Sequence, residues 1–114
     1  MNKNMNVYYT KHSQSEIISA MQLLNTEYAD ATIYIFGSQV AGTATKYSDL
    51  DIFMIFPELP PNVFQKQTEI RRAADKYITI PKDIFIVDQE QFEFRCLHVG
   101  TLEYSVFKHG IKVA

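Results

Sequence analysis

Three aspartates and one Gly-Ser pair carry the chemistry this sequence can do. Asp49 and Asp51 stand two apart in residues 49–56, a run that is otherwise apolar and ends at Pro57. The run reads as a strand. Strand side chains at i and i+2 share a face, so both carboxylates point the same way with Cα atoms about 7 Å apart. Leu50 and Ile52 then turn to the opposite side, into apolar packing. Asp83 opens a second apolar run. If the two strands are neighbours in register, Asp83 joins the same face. Carboxylates that close repel unless divalent cations neutralise them, and hard oxygen donors suit Mg²⁺ or Mn²⁺. Gly37-Ser38 ends a third apolar, β-branched run. Glycine lets backbone approach an anion closely, exposed N–H groups at such a turn attract phosphate, and Ser38 adds a hydroxyl donor. Phosphates at 37–38 and cations at 49, 51 and 83 would act on one substrate. Singly, a Gly-Ser is usually a turn and an Asp-x-Asp usually solvated; the argument rests on their combination at fixed offsets.

The elements that must position these groups can be read along the chain. Ser13-Gln-Ser-Glu16 fits a capping box. Ile17, Met21, Leu24 and Tyr28 follow at helical spacing, so a helix is expected over 14–28. Residues 32–36, Thr-Ile-Tyr-Ile-Phe, favour a strand. Residues 39–48 are small and polar and predict a loop. After the strand at 49–56, a proline-rich connection leads to Asn62, which can cap a helix bearing Phe64, Ile70, Ala74 and Tyr77 and stopped by Pro81. A strand at 83–87, a short helical turn at 89–94, a helix capped by Thr101 with Gly110 at its end, and an edge strand at 111–113 complete the order. The expected fold class is α/β (α+β), a mixed sheet with helices mainly on one face.

The bulk properties set limits. A chain of 114 residues suits one domain, 1–114. A net charge of −2 rules out a general basic surface for nucleic acid. A lone cysteine allows no internal disulfide, and no Cys/His zinc spacing occurs. The first eleven residues lack the apolar run of a leader, and no stretch approaches the roughly 18 apolar residues of a membrane span. A cytoplasmic protein is expected. His12, His98 and His109 are scattered and read as surface or packing residues, and Cys96 as a small packing residue. Tyr47 is either a packing residue or a platform for a base.

Residues 36–55, Phe-Gly-Ser-Gln-Val-Ala-Gly-Thr-Ala-Thr-Lys-Tyr-Ser-Asp-Leu-Asp-Ile-Phe-Met-Ile, resemble the signature of minimal nucleotidyltransferases of the DNA-polymerase-β superfamily. There a Gly-Ser precedes an Asp-x-Asp strand by about ten residues, and a third acid opens a later strand, as Asp83 does. Gly42, Ala44 and Ser48 match common family positions. Residues 100–113 are similar to the family's closing helix-glycine-strand. The resemblance covers nearly all of the chain after residue 13 and implies the polymerase-β-like palm fold. It also implies AMP transfer from ATP with two Mg²⁺ ions, with Asp49, Asp51 and Asp83 as catalytic metal ligands and Gly37 and Ser38 on the triphosphate. Gln39 and Ala41 stand where members often carry arginine; Lys46 and Lys82 are the candidate replacements. The companion the resemblance implies is a HEPN-type helical protein modified on a tyrosine, as in antitoxin–toxin pairs. Two alternatives stand beside it: a non-catalytic antitoxin or interaction module, and a small-molecule transferase of the aminoglycoside type, which usually needs an added helical domain. Self-association is left open.

Overall fold

The computed structural model describes residues 14–37 and 49–114. Ser13, Ser38, Gln39, Ala41, Lys46 and Tyr47 lie outside these residues. Among the described residues eight elements follow one another: α1 (Gln14–Glu27), β1 (Thr32–Phe36), β2 (Leu50–Phe56), α2 (Val63–Ala74), β3 (Lys82–Asp88), α3 (Gln89–Arg95), α4 (Leu102–His109) and β4 (Ile111–Lys112).

The four strands form one mixed sheet in the order β3-β2-β1-β4. β1 is antiparallel to both β2 and β4, whereas β2 and β3 are parallel. Parallel neighbours need a crossover, and α2 supplies it. β2 is central and covered on both faces, which explains its nearly unbroken apolar sequence. Leu50, Ile52, Met54 and Phe56 are buried in a cluster with Ile17, Met21 and Leu24 of α1 and Ile70 and Ala74 of α2. Phe53 and Ile55 face the other way, into a smaller cluster with Val87, Phe92 of α3 and Val106 of α4. The mixed sheet is as expected. The two long helices share one face, but the short pair α3 and α4 covers part of the other. An alternating sheet sequence with one wet face would have matched one-sided packing; β2, apolar at every position but Asp51, demands two covers.

Local chemistry explains the boundaries. Asn25 donates to the carbonyls of Tyr28 and Ala31, tying the end of α1 to the start of β1. The Asn62 side chain caps α2 by accepting from Gln65 N–H at 3.0 Å. Phe64 is exposed on that helix, and the core side is Ile70, Ala73 and Ala74. The helix ends at Ala74, before Tyr77 and Pro81.

Gly110 ends α4 as expected, but for a different reason. Its φ of −75° is open to any residue, so no left-handed turn is involved. Instead, an added Cβ would lie 2.6 Å from the Val106 carbonyl oxygen and 3.3 Å from that of Ile35. Only a hydrogen lets the helix end settle against β1. Gly110→Ala is therefore expected to lose about 1–3 kcal/mol through overpacking, measured by denaturant unfolding. Asp88 faces away from the Asp83 side by strand parity, and its carboxylate caps α3 by accepting from Gln91 N–H at 2.8 Å. Asparagine caps as well as aspartate. Asp88→Asn should therefore leave stability and any activity near wild type, while Asp88→Ala should cost about 1 kcal/mol. Equal losses from both in thermal unfolding would show that the carboxylate does something other than cap.

Candidate active site

The acids collect at one end of the sheet, on the α3/α4 face. Asp51 is the second residue of β2 and pairs in parallel register with Asp83 of β3. Neighbouring strands lie about 4.8 Å apart, so the two carboxylates start from adjacent backbone positions on one face. Asp49, just before β2, shares that parity. In the antiparallel direction Asp51 pairs with Phe36, the last residue of β1, and Gly37 follows at once.

Gly37 is shaped by this site. Its φ is +81°, a left-handed value that side chains rarely adopt. A Cβ placed on it would sit 2.1 Å from Asp51 Oδ2. The hydrogen of glycine thus brings the β1 turn against the central acid. Gly37 is exposed, so the same backbone also faces a ligand arriving from solvent.

Beneath the acids lies an aromatic floor. Phe53 and Phe85 come two residues after Asp51 and Asp83, on the same face, and Phe36 completes the group. The Phe36 ring is 6.4 Å from Phe53 and 5.8 Å from Phe85, and Phe53 is 5.9 Å from Phe92. This floor strips water from the half-buried Asp51. Desolvation, then the charge of Asp83, then that of Asp49, push the Asp51 carboxyl up to about 6. Among the described residues, no side chain forms an ion pair with any of the three acids. Among the described residues, no three His, Cys, Asp or Glu side chains surround one point as they stand. The donor set still fits Mg²⁺, which takes one or two protein carboxylates and completes its shell with phosphate oxygens and water.

Lys82 does not serve this face. It pairs with Leu50, one residue off the acid parity, and so turns toward α2. Its side chain is buried, with Nζ on Asp75 Oδ1 at 2.5 Å and on the Ile80 carbonyl at 3.0 Å. Arg71 donates to the Lys82 carbonyl. The lysine therefore fastens the end of α2 to the start of β3 and helps fix Asp83; it is not a triphosphate ligand.

The sequence reading overlooked the floor, although it left a signal. Asp51-Ile52-Phe53 and Asp83-Ile84-Phe85 are the same tripeptide, and register stacks the two copies side by side. A buried carboxylate, Glu103 of α4, was also missed. It is 4% exposed and accepts from Gln91 Nε2 at 2.8 Å.

A mixed sheet with a strand-end glycine against registered acids defines a nucleotidyl-transfer fold, and the comparisons agree. The family model for the nucleotidyltransferase domain matches residues 15–113. The chain belongs to that family. The crystal structure of an inferred nucleotidyltransferase from Sulfolobus solfataricus superposes with a TM-score of 0.58 at 17% identity, covering 98% of this chain and 87% of that one. That likeness speaks for the fold. No curated protein sequence matches the chain. Among the described residues, no helix is long and apolar enough to cross a membrane.

Proposed function

We propose that this nucleotidyltransferase domain moves AMP from ATP onto a hydroxyl of a protein acceptor, a tyrosine on a HEPN-type helical partner in the cytoplasm. The observation that carries the reading is the registered Asp51–Asp83 pair with the Gly37 backbone packed against Asp51. Gly37 and Ser38 would hold the β- and γ-phosphates. Asp49, Asp51 and Asp83 would hold Mg²⁺, which when bound neutralises charge on the triphosphate. Asp83, on the side away from Gly37, orients the acceptor hydroxyl and takes its proton. The hydroxyl oxygen bonds to the α-phosphorus as the bond to the bridging oxygen breaks, and pyrophosphate leaves with that electron pair. Incubating the chain with ATP, Mg²⁺ and a purified HEPN-type protein, then weighing that protein by mass spectrometry, tests the reading. One added AMP, lost in Asp51→Asn, is the expected result.

A binding-only module is the second reading. It is favoured by one observation: Lys82, the described cation expected at the phosphates, is turned to the other face. A stable complex with no mass change would select it. If transfer occurs, the partner supplies the positive charge that Lys82 does not bring to this face, as arginine fingers do elsewhere.

A further inference from the structure

A cleft of ≈ 470 Å³ lies on the α3/α4 face beside β3, with Phe53 and Phe85 among its lining and Gln91, Arg95, Thr101 and Glu103 around them. Phe85 follows Asp83 by two positions on the same strand face, so the cleft begins about 7 Å from the acids. That offset is two residues of extended peptide.

Direction follows from the displacement itself. In-line transfer puts the nucleophile and the leaving group on opposite sides of the phosphorus. The leaving pyrophosphate belongs to Gly37, on the β1 side of Asp51, so the nucleophile arrives from the β3 side, where the cleft opens. Glu103 says what arrives with it. The residue is 4% exposed, and the one hydrogen bond to its carboxylate comes from Gln91 and uses Oε2. Among the described residues no donor reaches the other oxygen. A nearly buried carboxylate with a vacant acceptor position favours a charged donor. Exposed apolar side chains stand at the end of α3 and in the connection to α4, outside the cleft lining: Phe94, Leu97 and Val99 are 66%, 76% and 81% exposed. Neighbouring apolar residues of this size suit a protein surface.

Resting on the transferase reading above, we propose that this cleft receives the acceptor as an extended protein segment, with Glu103 holding a lysine or arginine side chain while the neighbouring hydroxyl residue reaches Asp83. The hydroxyl proton passes to the Asp83 carboxylate, the new bond forms to the α-phosphorus, and pyrophosphate departs toward Gly37.

The test is an NMR titration of the isotope-labelled chain with two short tyrosine peptides, one flanked by lysines and one by glutamates. The lysine peptide is expected to shift the amides of Phe85, Gln91, Thr101 and Glu103, and to bind about tenfold more tightly than the glutamate peptide. Glu103→Gln should erase that preference. Equal binding of the two peptides, shifts confined to other surfaces, or no binding up to about 10 mM would each overturn the proposal. So would a preference that survives Glu103→Gln. If that variant does not fold, the charge-swapped peptides decide alone. Titration with ATP and Mg²⁺ keeps the two readings apart, since it should move Gly37, Asp51 and Asp83 and leave Glu103 still. Silence at the acids would sink the transferase reading without touching the cleft result, whereas ATP shifts centred on Glu103 would make the cleft a nucleotide site.

Discussion

Asp51→Asn is expected to abolish AMP transfer, by a factor of about 10³ or more, while making the ligand-free chain more stable. Asp51 is the central acid, paired with Asp83 and packed under Gly37. Its amide keeps the shape and removes the charge. The stability gain has a defined pH window. The carboxyl titrates near 6 in the folded chain because burial and two like charges oppose ionisation, against about 3.9 when unfolded. Below pH 4 both states are protonated, and the favourable contribution of the neutral acid is fully present. Between about 4 and 6 the unfolded chain sheds the proton more readily, so wild-type stability falls as pH rises. Above about 6 the loss is complete. After allowance for solvent screening it amounts to about 1–2 kcal/mol. Urea unfolding of both proteins at pH 4 and pH 7.5, without divalent ions, should show equal stability at the lower pH and a more stable variant at the higher. A variant less stable at pH 7.5, or one that still transfers AMP, would remove Asp51 from the centre of the site.

Gly37→Ala should be nearly as damaging to function for a different reason. The left-handed φ of +81° costs a non-glycine residue about 1–2 kcal/mol. The new Cβ would also occupy the place of Asp51 Oδ2, 2.1 Å away. The carboxylate is the free end of a side chain and can rotate, so the fold should survive. The rotation moves the acid out of position. Loss of transfer together with weaker ATP binding by calorimetry is the expected pair of results, and Gly37→Val should exaggerate both. Wild-type turnover in Gly37→Ala would reduce residues 37 and 38 to a plain turn.

Much of this site was legible because strand parity is a two-residue rule. It placed Asp49 and Asp51 together and sent Leu50 and Ile52 to the core, and β2 behaves accordingly. The adjoining of the strands near 32, 50 and 83 followed from the need to gather the acids. The same parity, applied one residue before Asp83, would have turned Lys82 away from the phosphates. What parity cannot give is which helices cover which face, because that depends on how α3 and α4 fold back. The floor of Phe36, Phe53 and Phe85 and the burial of Glu103 depend on that packing. Glutamate in the first turn of a helix ordinarily faces water and complements the dipole, so nothing in the sequence of α4 marks Glu103 as enclosed.

The crossover helix does more than return the chain. β3 is an outer strand seven residues long. Leu50 N–H bonds the Pro81 carbonyl, so alternation aims the carbonyls of Lys82 and Ile84 outward. Gln67 and Arg71, one turn apart on α2, occupy those two oxygens. At the opposite margin β4 is two residues long. A long strand with free outward carbonyls is a template on which further chains stack into fibrils. Here two of its outward carbonyls, those of Lys82 and Ile84, are occupied from within, and the other border is too short to extend. Replacing Gln67 and Arg71 by alanine would free both oxygens for pairing with another chain, and faster aggregation of that variant in concentrated solution is the expected result.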